Sequence, residues 1–406
     1  MKYDTIIVGA GVIGASTAYH LKRLSPKKKV LLIDKNNKVA VGNTAKSAAL
    51  YRNLFSSRTS QILANSSISF YESIADKISL KELGYFWMLS RDDYQKSKTG
   101  LSKLEEKKDR FEILSVEDMP KNLKINTTKS DEFSEVECIL YGHRCGSLSA
   151  IKLARYYATQ FQNLGGEIQV PVEIKKINLT NGDQFYPSWK DISIKSITDQ
   201  NGINYIAEDF VFAIGAWTQS ILAPIGIASQ IYPQKRQMFT LKIKPDQIAL
   251  DIKKRIPILI LPTGGVYIKP VLQNSLIMVG SANELGNPYQ MDTYPPEAEE
   301  GYFRNAIEPV LNHYFPQLKD YSLFSKWAGY YAYYWPDKNP VIEKISNIQW
   351  VSGTSGSGIM KADAIGRITA ARNLNFEEVD LFDKTKFHVS DLSLKKRKVD
   401  AEELII

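Results

Sequence analysis

Three features of the sequence predict an α/β fold, a parallel Rossmann-like domain interrupted by an inserted α+β domain built on an antiparallel sheet. The chain opens as strand, glycine turn, helix, strand. Its middle, from Pro233 to about Ser325, is a series of short apolar runs punctuated by Pro and Gly. Near residue 350 it returns to strand, Gly/Ser loop and helix.

Taken in order, residues 3–8 are a β-branched run ending at Gly9-Ala10-Gly11. Residues 12–24 place apolar side chains at helical spacing, and Ser25-Pro26 stops them. Residues 29–34 form a second strand, apolar enough to be buried on both faces of a parallel sheet. Ile62, Leu63, Ile68, Tyr71 and Ile74 give residues 58–78 a helical pattern. The stretch 90–140 is charged and lysine-rich, as expected of an insertion away from the main sheet. A helix follows over 148–164, ended by Gly165-Gly166, and then a strand over 167–179. Asn181-Gly182 and Asn201-Gly202 mark hairpins between 180 and 209. An apolar strand covers 209–215, antiparallel strands fall at 256–261, 266–270 and 276–279, and strand 348–352 with helix 361–373 closes the α/β part. The chain thus divides into a discontinuous domain of residues 1–89, 141–228 and 326–390, an inserted domain of 90–140 and 229–325, and a basic tail of 391–406.

The 406 residues carry 52 Lys+Arg and 44 Asp+Glu, a net charge of +8, and 44% hydrophobic residues, a balance that excludes a largely disordered chain. The basic excess is spread out, densest at 27–29 and 395–398, so no nucleic-acid-binding face is expected. Cys138 and Cys145 cannot supply a disulfide framework, and the four histidines show no zinc spacing, so no metal is expected. No apolar run reaches the roughly 18–20 residues of a transmembrane helix, and Asp4 interrupts the stretch that mimics a signal peptide. A cytoplasmic location is the expectation.

Gly9-Ala10-Gly11-Val12-Ile13-Gly14 lies between strand and helix, and Asp34 follows Gly14 by 20 residues at the end of the next strand. The first glycine permits the tight turn, the second a close backbone approach to pyrophosphate, and the third close helix–strand packing. The acid would accept hydrogen bonds from a ribose, which disfavours a 2′-phosphate and hence NADP. Spacing alone does not separate FAD from NAD. A second loop, Gly353-Thr354-Ser355-Gly356-Ser357-Gly358-Ile359-Met360, opens the last helix and exposes backbone N–H donors suited to an electron-rich edge such as flavin carbonyls.

With these motifs, the segment 42–49, Ala213-Ile214-Gly215-Ala216-Trp217, the run 265–270, Trp327-Ala328-Gly329 with Pro336-Asp337, and Gly366-Arg367, the chain resembles the D-amino-acid oxidase superfamily of FAD-dependent oxidoreductases. The likeness is to its glycine oxidase, sarcosine oxidase and dye-linked L-proline dehydrogenase branch. It implies an FAD-binding domain of the glutathione-reductase type. Gly9, Gly11 and Gly14 would form the phosphate turn, and Val12, Ile13, Asp34 and Lys35 would contact the ADP half. Asn43, Thr44, Ser47, Ala48 and Ala49 would line the diphosphate and ribityl side, and Val172 would present its backbone to adenine. Gly215 and Trp217 would complete the cofactor domain, and Gly356, Ser357, Gly358, Ile359 and Met360 would meet the isoalloxazine.

The departures refine this expectation. Tyr330 stands where relatives with covalent flavin carry a cysteine, so FAD is expected to be non-covalent. Tyr331 replaces the carboxylate-binding arginine of glycine and D-amino-acid oxidases, and Met278 replaces an oxygen-activating lysine. Arg236-Gln237 replaces a Gly-Gln pair.

The resemblance implies oxidation of a small amino acid or secondary amine, proline-, sarcosine- or glycine-like, by hydride transfer to flavin N5. A dehydrogenase passing electrons to a dye, quinone or partner protein is expected rather than an oxidase. Arg52 is the expected carboxylate clamp, with a surface salt bridge or phosphate contact as the plainer alternative. Tyr267 is expected to reach the same carboxylate, with a buried strand tyrosine of no substrate role as the plainer alternative. Tyr331 would lead an aromatic cage with Tyr330, Tyr333, Tyr334 and Trp335, with simple core or interface packing as the plainer alternative. Lys361 reads as a solvated lysine at a helix start or as a cation that neutralises reduced flavin. Two other readings stay open: a 2-hydroxy-acid or glycerol-3-phosphate dehydrogenase, and a non-catalytic electron-transfer flavin subunit. Assembly as a homo- or hetero-oligomer is left open.

Overall fold

The computed structural model describes residues 2–105, 111–120, 123–180, 182, 192–244, 257–271, 275–282, 295–318 and 320–404. The turn residue Asn181, residue 256 of a predicted strand and the last two residues of the tail lie outside them.

Strand β1 (Lys2–Val8) enters the middle of a sheet because both of its faces are apolar. Ile7 packs among the helices on one side, and Ile6 and Val8 pack on the other. β1 pairs in parallel with β2 (Val30–Ile33) on one edge and with Asn204–Phe212 on the other. Glu167–Gln169 extends the parallel array beyond β2, and Ile348–Ser352 extends it beyond Asn204–Phe212. The predicted strand over 167–179 is two strands. Glu167–Gln169 belongs to this array, while Ile174–Leu179 forms an antiparallel ladder with Ile194–Asp199. Pro171, which lacks an N–H, stands in the break.

Helix α1 (Val12–Leu24) lies against the final helix, Gly358–Asn373, and against Ala150–Asn163. The contact with the final helix is close: Ser16 Oγ donates to the Ala362 carbonyl at 2.9 Å, and a Cβ on Gly366 would lie 2.1 Å from Ser16 Oγ. The final helix begins at Gly358 rather than at 361, so part of the predicted glycine loop is its first turn. Helix α2 (Arg58–Ser73) is capped by Ser57, whose side chain accepts from the Ser60 N–H.

Among the described residues a second sheet runs in the order Ser322–Tyr333, Tyr232–Lys242, Leu276–Gly280, Tyr267–Val271, Ile258–Ile260, Tyr85–Leu89, Cys138–Gly142, Phe111–Leu114. Two sequence expectations need correction here. Tyr85–Leu89, grouped by sequence with the cofactor domain, sits in this sheet, paired in parallel with Ile258–Ile260 and antiparallel with Cys138–Gly142. Residues 326–333, also grouped by sequence with the cofactor domain, belong to Ser322–Tyr333 at the edge of the same sheet. The charged stretch after residue 90 sends Phe111–Leu114 and the start of Cys138–Gly142 into this sheet, away from the parallel array as expected. The apolar run Tyr85-Phe86-Trp87-Met88-Leu89 is buried throughout, and both faces of this sheet are covered. Phe303, Ile307 and Leu311 pack on one face against Phe239, Ile277 and Val279. Tyr85, Trp87, Met238 and Tyr267 lie in the cluster on the other, which also holds the free thiols Cys138 and Cys145. No helix among the described residues is long and apolar enough to cross a membrane.

Candidate active site

The turn after β1 is built on missing side chains. Gly9 has φ +104°, and a Cβ there would lie 2.5 Å from the Ala213 carbonyl oxygen. A Cβ on Gly14 would lie 1.8 Å from the Gly9 oxygen. Gly11 precedes the first residue of α1, so the helix N-terminus faces the turn. Asp34 steadies this turn: one carboxylate oxygen accepts from the Ala10 N–H at 2.7 Å, and the other accepts from the backbone and side-chain amides of Asn36. Thr44 Oγ1 accepts from the Val12 N–H at 3.0 Å, tying segment 42–49 to the helix start. Asn43 holds the same segment to the second sheet by accepting from the Tyr330 N–H, and the Trp327 indole donates to the Lys46 carbonyl.

A cavity of about 340 Å³ is bounded at one end by Asp34, Lys35 and Val172 and at the other by Tyr267, Tyr331 and Gly356. Gly9, Gly11, Val12, Ile13, Asn43, Thr44, Ser47, Ala48, Gly215, Trp217, Gly358 and Ile359 also line it. Val172 is held there by its N–H, which donates to the Asp34 carbonyl at 2.7 Å, and the Lys35 ammonium lies 4.6 Å from the Trp217 ring centre. Gly14 supports this cavity from behind, while Ala49, Ser357 and Met360 line a neighbouring one.

That second cavity, of about 70 Å³, shares Ser47, Ala48, Tyr267, Tyr331, Gly356 and Ile359 with the first. Arg52, Tyr267 and Tyr331, scattered along the sequence, thus meet at one place beside the second glycine turn. Gly356 makes this possible: it has φ +84°, and a Cβ on it would press on the Tyr331 ring at 2.7 Å. Gly280 likewise leaves room for the Tyr267 hydroxyl, which donates to Met238 Sδ. Burial pushes the Tyr267 phenol well above its ordinary range. Arg236, noted in the sequence but given no role there, lies in the larger cavity with its guanidinium 5.6 Å from the Tyr331 ring centre.

Arg52 is neither on the surface nor in a salt bridge with a surface partner. It is 5% exposed, lies between the rings of Phe55 and Trp87, and donates to the Leu54 and Leu404 carbonyls. Lys361 also departs from its sequence reading. It is fully buried, because α2 and the closing segment cover the start of the final helix. Its ammonium donates to Ser60 Oγ at 2.8 Å and sits 4.4 Å from the Phe55 ring centre. Burial lowers its pKa to about 7. The aromatic run divides as well. Tyr331 faces both cavities and Tyr330 the larger, Tyr333 and Trp335 pack on each other at 4.5 Å, and Tyr334 lies under Arg397. The run is broken by Ala332 and its strand ends at Tyr333, so the five aromatics leave in different directions and do not form one cage.

Sequence reasoning missed Glu402 and Leu404, which also line the small cavity. The tail from residue 391 is not a solvated basic arm. Arg397 is held by the Asp337 carboxylate and by the Pro340, Asn339 and Leu392 carbonyls. Asp400 accepts from the Arg58 N–H at the start of α2, and Leu404 is 3% exposed beside Tyr85 and Tyr267. The available signal was the three carboxylates, Asp400, Glu402 and Glu403, and the Leu-Ile-Ile that follow the lysine run.

A family model described as FAD dependent oxidoreductase (DAO) matches residues 4–372. FAD-dependent oxidoreductase domain-containing protein 1 of Bos taurus is 22% identical, over 94% of this chain and 83% of its own. The mitochondrial dimethylglycine dehydrogenase of Homo sapiens is 22% identical over 90% of this chain but 42% of its own. Among solved structures, L-proline dehydrogenase from P. horikoshii superposes with a TM-score of 0.76 at 21% identity, covering 97% of this chain and 96% of that one. Glycine oxidase from Geobacillus kaustophilus gives 0.73 at 18% identity, covering 98% and 99%. At these identities the structural likeness speaks for the fold alone.

Proposed function

Because the chain belongs to the DAO family of FAD-dependent oxidoreductases, we propose that it oxidises a small amino acid or secondary amine of the proline, sarcosine or glycine kind, and that a dye, quinone or partner protein receives the electrons. The cradle suits non-covalent FAD. Gly9 and Gly14 stand where any Cβ would meet backbone, Asp34 closes the adenosine end of the cavity, and Gly356 opens the other. When bound, the isoalloxazine supplies the two-electron acceptor for the substrate C–H bond.

The observation that carries the reading is the small cavity beside the second glycine turn, where Arg52 and Lys361 present two buried cations to a space of about 70 Å³. That is room for about five waters, the scale of a small amino acid rather than a peptide. In this reading Arg52 and Lys361 hold the substrate carboxylate, Tyr267 and Tyr331 wall the amine-bearing carbon, and Leu404 and Phe55 exclude water. The acceptor assignment leans on Met278, whose cross-strand partner Lys269 donates its ammonium to the Ala48 carbonyl at 2.7 Å.

The test is anaerobic bleaching of the FAD-loaded protein with amino acids, N-methyl amino acids and 2-hydroxy acids, followed by reoxidation with oxygen or with dye. Rapid bleaching by an amine or amino acid and faster turnover with dye are expected. Bleaching by hydroxy acids alone, or by no small molecule, overturns the substrate class; faster reoxidation by oxygen overturns the acceptor. Arg52→Ala is expected to raise KM about a hundredfold or more with little change in flavin content, the loss of a buried charged hydrogen-bonding partner.

A further inference from the structure

The small cavity gathers more charge than a carboxylate clamp needs. Arg52 and Lys361 lie over the same Phe55 ring, at 4.3 and 4.4 Å from its centre, both buried. Two cations so placed repel each other in a medium that screens poorly. The closing segment answers this by bringing in Glu402, itself 4% exposed. Its carboxylate accepts from the Ser56 N–H and hydroxyl, the Ser57 N–H and the Leu404 N–H, at 2.9–3.0 Å. Glu402 therefore reaches the cavity as an anion whose hydrogen bonds come from the neutral donors of Ser56, Ser57 and Leu404.

We infer that Glu402 is a positioning residue of the substrate site: it balances one of the two buried cations, so that the cavity keeps one net positive charge for a substrate carboxylate. The inference rests on the proposed function and extends it, since it makes segment 391–404 part of the site rather than a covering. The Lys361 ammonium faces Glu402 from the closing segment, Arg52 from the chain before α2 and Asp337 from the turn after Ser322–Tyr333, and Ser60 of α2 is its hydrogen-bond partner. Asp337 is engaged by Arg397, which leaves Glu402 as the anion available to the pair. Glu402 and Asp337 favour the charged form of Lys361, while burial and Arg52 oppose it.

The experiment titrates acetate and pyrrole-2-carboxylate into the FAD-loaded protein across pH, following the perturbation of the visible flavin band. Wild-type protein is expected to bind the anions more weakly as pH rises through about 7, as Lys361 loses its proton. Glu402→Gln is expected to move that falling limb to lower pH by about one unit, and to tighten binding on the acid side, where two cations are left unbalanced. Glu402→Asp restores the limb, and Lys361→Met abolishes it. Ser56→Ala, which loosens the same contacts without altering charge, leaves it in place. An unmoved limb in Glu402→Gln, a limb that persists in Lys361→Met, or an equal displacement in Ser56→Ala overturns the inference. Should no carboxylate perturb the wild-type flavin, the proposed function fails first and takes the inference with it.

Discussion

At Gly14 the space for a side chain is already filled by the Gly9 carbonyl, and at Gly9 by the Ala213 carbonyl, both backbone atoms that cannot swing aside. Gly14→Ala is therefore expected to force α1 away from β1, at a cost of about 2–3 kcal/mol. It should appear as lost flavin absorbance in the purified protein together with a lower melting temperature; a variant that stays yellow and melts like wild type would refute this reading of the turn. At this scale the glycines and Asp34 were legible because their roles follow from spacing and local backbone geometry. Arg52 and Lys361 were only half legible. Their chemistry could be named from residue type, but their burial depends on Phe55, Trp87 and residues of the closing segment, far away in sequence.

Where α1, Ala150–Asn163 and the final helix meet, the buried Asp363 carboxylate joins His20, Arg367 and the Tyr157 hydroxyl. Burial alone would raise the Asp363 pKa, but the charges and hydrogen bonds of His20 and Arg367 hold it below the ordinary range. Burial lowers that of His20. Both depressed values work in one direction. Asp363 contributes stability above its unfolded pKa of about 3.9, and the contribution is lost as pH falls through the folded value. His20 contributes fully above about 6.5 and less below it. The melting temperature is thus expected to decline as pH drops below about 6.5, and His20→Gln should flatten the first part of that decline. Asp363→Asn should cost about 3–5 kcal/mol at neutral pH, since it removes the anionic partner of the half-buried Arg367 and the hydrogen-bond partner of the buried His20; an unchanged melt would remove the network from the account of helix packing. The helices themselves were legible from periodicity. Where each begins and ends was less so: the final helix gains a turn at Gly358 because a helix start can recruit loop glycines, and strand 167–179 breaks at Pro171.

Across the whole molecule, the two sheets face each other over the cavities, and the closing segment joins them. Arg397 grips Asp337 and three backbone carbonyls, Asp400 caps α2, and Leu404 enters the apolar cluster of the second sheet. Arg397→Ala is expected to release this segment, exposing a site between residues 391 and 404 to limited proteolysis while FAD stays bound, because the FAD-facing residues hold their places without it. Mass spectrometry of the digest measures this, and cutting no faster than in wild type would show that the segment is held by other means. The order of the two sheets was legible only in outline. Tyr85–Leu89 reads equally well as a strand of either sheet, and its partner Ile258–Ile260 lies far along the chain.

By itself, the sequence determined the dinucleotide turn, the α/β alternation around an antiparallel insertion, and the family, since each rests on local spacing that a short stretch of backbone obeys wherever it is placed. Only the tertiary structure decided which cations are buried together, which face of the aromatic run meets the cavity, and that a distant carboxylate joins them. Burial and charge balance are properties of neighbours in space, and neighbours in space are chosen by packing of the whole chain.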